Sequence, residues 1–186
     1  MRMFSLLTAV LLALCLVPCA SAEETDPLYD VFTYGYSVQG RELQCHRIGD
    51  PEAGNSFLWV FAVHGFEDSF KQDGKVLTRI AELMIEHYRT NMDALNNYVL
   101  YIVPAANPDG QEAGTSKDGF GRCNAKGLDV NRDFPVNWKK RTDDRNRTGD
   151  EPFSTAEARA IRSLMENCGY TQEQAAGRLG KSRPAV

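Results

Sequence analysis

Histidine is scarce in this 186-residue chain: His46, His64 and His87 are the whole supply. Cysteine is nearly as thin, with five in all and no CxxC pair, so neither a zinc ribbon nor a thioredoxin-type redox motif is available. Cationic excess is missing too. Lys and Arg number 21 against 25 Asp and Glu, a net charge of −4, which gives no basic field for a nucleic-acid partner. No internal repeat is visible. What remains is the composition of an ordinary soluble domain, 42% hydrophobic and 25% charged, long enough to bury a sizeable core.

The one strongly apolar stretch lies at the start. Arg2 supplies a positive end, Phe4 to Val17 is almost unbroken hydrophobe, and Cys19-Ala-Ser-Ala22 ends in small residues. That is the pattern of a cleaved signal peptide over residues 1–22. The run is short for the ~20 residues of a membrane span. The expected product is secreted or periplasmic, with no stable membrane span after cleavage. It keeps Cys45, Cys123 and Cys168, an odd count that leaves at least one thiol free or intermolecular. Small buried hydrophobes are the plain reading of these cysteines.

Beyond an acidic leader at 23–31, Tyr34 to Val38 alternates as a strand, Gln39-Gly40 turns, and Glu42 to Ile48 returns, giving a hairpin. Phe57 to Val63 (FLWVFAV) reads as a buried central strand. Asp73 can cap a helix whose apolar stripe is Val76, Leu77, Ile80, Leu83, Met84, His87 and Tyr88. Tyr98 to Val103 is a second buried strand, so strand, helix and strand form a βαβ unit with parallel strands. The fold class is α/β, a mixed sheet flanked by helices with an N-terminal β-hairpin. Residues 104–152 carry little periodicity, and so long an irregular stretch is usually functional. Ser154 can cap a last helix, with Glu157 completing a capping box and Ala158, Ile161, Leu164 and Met165 as its apolar stripe.

Candidate chemistry gathers where the two parallel strands end. His64-Gly65-Phe66-Glu67 places an imidazole and a carboxylate, both zinc donors, beyond the first strand, with Gly65 free to turn between them. Alone, a histidine after a strand is more often a loop residue bonded to a carbonyl. Asn107-Pro108-Asp109-Gly110 follows the second strand and reads as a turn. Further on, Arg122 and Arg132 are fixed cations suited to oxyanion and carboxylate recognition, or to surface ion pairing.

Taken in order, HGFE, NPDG, RCNAKGLDVNRDFP and GDEPFSTAEA resemble the zinc carboxypeptidase family of metallopeptidases over about residues 30–166. Their style is nearer to bacterial members acting on cell-wall peptides. The resemblance implies one zinc ion held by His64 and Glu67, with Arg122 as the catalytic group that polarises the scissile carbonyl. It implies Asn131 and Arg132 as the clamp on the substrate's terminal carboxylate, and Asp129, Phe134 and Pro152 as structural pocket positions. The expected partner is a peptide with a free C-terminal carboxylate.

The family also uses a third ligating His, a general-base Glu and a Tyr, all later in the chain. His46 and His87 fall in neither place, His87 reading as a core or boundary residue of the first helix. The family-like portion spans 23–167. Residues 168–186 form an unrelated-looking tail, in which 169–186 resemble the start of a ParB-like helix-turn-helix cut off before a recognition helix is complete, as a mis-joined frame would leave it. Three readings follow: a truncated carboxypeptidase of reduced activity, a pseudo-peptidase gripping carboxylate-ended peptides through Asn131 and Arg132, and a DNA-binding tail, which the charge opposes.

Overall fold

The structure, a computed structural model, describes residues 26–65, 73–113 and 121–169. The expected signal peptide at 1–22 and almost all of the helix-turn-helix-like tail lie outside the described residues.

Four strands form one mixed sheet in the order β1-β2-β4-β3. β1 (Tyr29–Tyr36) and β2 (Glu42–Ile48) are the predicted hairpin, antiparallel, with β1 starting inside the expected acidic leader. Gly40 takes φ +77° in its turn, a conformation that costs glycine little. β3 (Asn55–Val60) and β4 (Tyr98–Val103) pair in parallel around α1 (Asp73–Thr90), the predicted βαβ unit. α2 (Pro108–Ala113) is short, and α3 (Ala156–Asn167) closes the described chain.

Strand alternation sends β4 side chains to two layers. Leu100 and Ile102 pack with Ile48 under Ala81 and Ile85 of α1. Val103 packs with Cys45 under Ile161 and Leu164 of α3. The stripe predicted for α3 is therefore its core face. α3 lies so near β1 that a Cβ on Gly35 would stand 2.6 Å from the Ala160 Cβ, beside a shift in the β1–β2 register.

Four expectations change. β3 is shorter than predicted and is not central: among the described residues it pairs only with β4, and Phe57 is 44% exposed. The interior strands are β2, which bonds β1 and β4, and β4, which bonds β2 and β3. On α1 the buried positions are Gly74, Ala81 and Ile85, while Val76, Leu77, Ile80 and Leu83 of the predicted stripe are exposed, as is His87. At 100° per residue those apolar side chains lie to one side of the buried row, and Lys75, Arg79, Glu82, Glu86 and Arg89 lie to the other. The Trp59–Tyr88 ring contact and the groove that joins Arg79, Glu82, Glu86 and Arg89 to Tyr29, Gln44 and His46 fix the sense. The apolar sector overhangs β3, and the charged one faces the hairpin. Third, NPDG is the start of α2 rather than a turn, with Asn107 Oδ1 accepting from the Gly110 amide at 3.0 Å. Fourth, Thr155, not Ser154, caps α3, its hydroxyl accepting from the Ala158 amide, and Glu157 forms no capping box.

Cys45, Cys123 and Cys168 are all free thiols, and the first two are fully buried, as small hydrophobes would be. Burial pushes their pKa values up from 9.0, to about 12 for Cys45 and about 11 for Cys123 and Cys168. No helix of the described residues is long and apolar enough to cross a membrane.

Candidate metal and substrate site

Beyond β3 the chain stays tied to its neighbour strand. The Phe61 amide donates to the Val103 carbonyl at 2.9 Å, and the amides of Ala106 and Asn107 donate to the carbonyls of Phe61 and Ala62 at 3.0 and 3.1 Å. Ala62, buried, takes φ +50°, a left-handed conformation unusual for a residue with a Cβ. This bend delivers His64 to the carboxyl edge of the sheet. Gly65 then packs backbone against backbone: an added Cβ would collide with the Gly110 and Gln111 main chain, and one on Gly74 with the Gly65 carbonyl. Space, rather than a positive φ, is what requires glycine at 65.

One buried carboxylate organises the predicted residues. Asp129 is fully buried, and its Oδ1 lies 3.2 Å from His64 Nε2 and accepts from the Asn131 amide at 2.9 Å. Its Oδ2 accepts from Arg122 Nε at 3.0 Å. A carboxylate only accepts, so the imidazole presents its Nε2–H to Asp129. Burial pushes the Asp129 carboxyl up. The hydrogen bond and charge of His64, with the Arg122 guanidinium, outweigh this and hold it below the usual carboxylate value. Asp129 was expected only to shape the pocket. Its signal in the sequence was its place two residues before Asn131, where its side chain caps the 3-10 turn Val130–Arg132.

His64 and Asn131 line one cleft of about 250 Å³, walled by Val60–Val63, Asp73, Gly74 and Leu77. Arg122 joins them through Asp129. Arg132 is not among the cleft's lining residues; its Nη1 lies 3.4 Å from the Asn131 carbonyl, and among the described residues no carboxylate lies within ion-pair distance of it. Glu67 lies outside the described residues.

Sequence reading missed further polar residues behind Arg122. Asn107, fully buried, donates through Nδ2 to the carbonyls of Arg122 and Cys123, at 3.4 and 3.1 Å. Asn124 closes the loop 124–128 by accepting from the amides of Lys126 and Leu128 at 3.0 and 3.1 Å.

Among the described residues no group of three or more His, Cys, Asp and Glu side chains could hold a metal ion. The donors that are described do fit a cation. A ring whose far N–H is held by a carboxylate is the usual state of a metal-ligating histidine. In the wall of the same cleft, Asp73 Oδ1 is buried without a hydrogen-bond partner.

Comparison with known proteins sets this arrangement in a family. The profile described as zinc carboxypeptidase matches residues 20–178. Bacteriocin BCN5 of Clostridium perfringens is 40% identical over 134 residues, covering 72% of this chain and 15% of its own. The carboxypeptidase N catalytic chain of Homo sapiens is 30% identical over 120 residues, covering 56% of this chain and 26% of its own. The crystal structure of carboxypeptidase A from Helicoverpa armigera superposes with a TM-score of 0.61 at 22% identity, over 76% of this chain and 38% of that one, a likeness of fold alone. The chain spans between 8% and 28% of the length of eight curated relatives that it matches. With the motifs, the mixed sheet and the family profile in agreement over most of its length, this chain belongs to the zinc carboxypeptidase family.

Proposed function

We propose that the chain carries part of the active site of an exported zinc metallocarboxypeptidase, one that hydrolyses peptides bearing a free C-terminal carboxylate, cell-wall peptides included. The observation that carries this reading is the Asp129 carboxylate, which ties His64, Arg122 and the Asn131 amide into one unit at the carboxyl edge of the sheet.

In this reading His64 and Glu67 supply two of the three protein ligands of a catalytic zinc. Asp129, on Nε2, directs the imidazole to bind through Nδ1. Zinc, when bound, lowers the pKa of its water to about 7 and so supplies hydroxide. Arg122 stabilises the negative oxygen that develops on the scissile carbonyl, and its tie to Asp129 fixes that charge before substrate arrives. Asn131 and Arg132 hold the terminal carboxylate, Arg132 as a fork with no protein carboxylate competing for it among the described residues. Residues 1–22 direct export, 23–167 build the peptidase portion, and 168–186 are a tail unrelated to it in sequence.

The same fact about Arg132 favours a second reading, a non-hydrolytic module that binds carboxylate-ended peptides. Zinc content and turnover of a C-terminal dipeptide substrate separate the two. The first reading expects one zinc per chain, held weakly by two protein ligands, and slow hydrolysis that fails when the terminal carboxylate is amidated. Absent zinc and turnover remove it. Peptide binding that survives Arg132→Ala removes the second.

A further inference from the structure

Glu157 is fully buried, yet no lysine or arginine forms an ion pair with it among the described residues. Its two oxygens serve different segments: Oε2 accepts from Asn124 Nδ2 at 2.8 Å, and Oε1 from the Val38 amide at 3.2 Å. Burying a carboxylate is costly, and a place in the first turn of α3 offsets only part of that. An amide in its place would turn its NH2 toward one of these two donors, which sit on separate oxygens. Such a group earns its position by joining segments. Here it joins the hairpin turn to the loop that begins at Arg122.

The junction has a second strut. Asp109, also fully buried, accepts from Ser37 Oγ at 2.8 Å and from the Gln39 amide at 2.9 Å, holding the same hairpin turn against α2. From the start of α2, Asn107 holds the carbonyls of Arg122 and Cys123. The main chain at 122–124 is thus fixed from α2 through Asn107 and from α3 through Glu157 and Asn124. The Arg122 side chain is fixed by Asp129.

We propose that Glu157 and Asn124 are positioning residues for Arg122: their hydrogen bond sets the loop from which the guanidinium reaches Asp129. The proposal rests on the reading of Arg122 as the oxyanion-holding group, but its test needs neither zinc nor peptide. The probe is the Arg122 Nε–H in the NMR spectrum of the full chain, assigned by its loss in Arg122→Lys and followed by hydrogen exchange.

Glu157→Gln is expected to speed its exchange by about tenfold or more, while the Leu100 and Ile102 amides of β4 stay within about twofold of wild type. Adding Asn124→Asp to Glu157→Gln reverses donor and acceptor: the introduced amide can donate to the introduced carboxylate, still accept from Val38, and leave the bonds to Lys126 and Leu128 intact. Exchange at Arg122 should return close to wild type. An unchanged Nε–H in the single variant overturns the proposal. So does equal acceleration of the β4 amides, or failure of the double variant to restore protection.

If the single variant does not fold, the wild type decides under sub-denaturing urea. Exchange at Arg122 Nε–H and Asn124 Nδ2–H rising together supports coupling. Arg122 exchanging while Asn124 stays protected overturns it. Absent zinc binding and turnover, with these exchange results as expected, would remove the catalytic reading and leave the positioning intact.

Discussion

Asp129 Oδ1 lies 3.2 Å from His64 Nε2, inside a site where the carboxylate is fully buried and the imidazole side chain only 17% exposed. Asp129→Asn keeps the shape but leaves one accepting oxygen for three donors. If His64 holds zinc as proposed, zinc affinity should fall about 10- to 100-fold, as it does for metal-bound histidines that lose the group orienting them. Arg122 also loses its counter-charge, at a cost of about 1–3 kcal/mol in stability. Zinc titration calorimetry and urea denaturation read the two effects separately, and a variant that matches wild type in both contradicts the role given to Asp129.

Arg132→Lys should weaken binding of a carboxylate-ended peptide by about tenfold, because an ammonium cannot reproduce the two-pronged guanidinium contact. Arg132→Ala should weaken it further. Binding to the C-terminally amidated peptide should be weak in all three proteins, so calorimetry with the paired peptides isolates the carboxylate.

Gly35→Ala tests the seat of α3 on β1. The added Cβ would sit 2.6 Å from that of Ala160, and one backbone must move. A loss of about 1–3 kcal/mol is expected, the usual cost of overpacking. An unchanged urea midpoint would contradict the close seat of α3 on β1.

The three thiols give the fold a dependence on alkaline pH. Their pKa values are raised by burial from 9.0 to about 12, 11 and 11, so the fold favours the neutral form. The unfolded chain releases these protons first. The stabilisation is therefore fully present below pH 9 and is lost progressively as pH rises toward 11–12. Half-buried Tyr34, also raised chiefly by desolvation of its ring hydroxyl, acts in the same direction. Denaturation midpoints at pH 7.5 and 10 should fall for wild type and fall less for Cys45→Ala.

Val76, Ile80 and Leu83 of α1 expose apolar surface beside β3, whose outer edge has no partner strand among the described residues. Exposed apolar patches and open strand edges both promote self-association. Ile80→Lys with Leu83→Glu should lower light scattering and dye binding at equal concentration. No change would mean that this face stays covered in solution.

The sequence made part of this architecture legible and hid the rest for physical reasons. β2 and β4 keep their predicted bounds, and the βαβ unit and the core face of α3 follow from period and propensity, which are local. Edge or central position is not local: FLWVFAV reads as buried on both sides, yet among the described residues β3 pairs with β4 alone. The α1 stripe was apolar as read, but which apolar residues meet the sheet depends on where the helix lies. The site divides in the same way. His64, Arg122 and Arg132 stood out as candidates by their chemistry and Asn131 only through the family resemblance; the structure ties His64, Arg122 and the Asn131 amide to Asp129. The carboxylates of Asp109, Asp129 and Glu157 resemble surface residues by composition, and their burial depends on donors such as Ser37, 72 positions from Asp109.

In the proposed function His64 and Glu67 hold zinc, and Asp129 orients the His64 ring. The most direct measurement is zinc titration of the chain beside His64→Ala and Glu67→Gln. One zinc per chain, lost in the first variant and weakened in the second, is the predicted result. Zinc that binds equally to all three proteins, or to none, would contradict it.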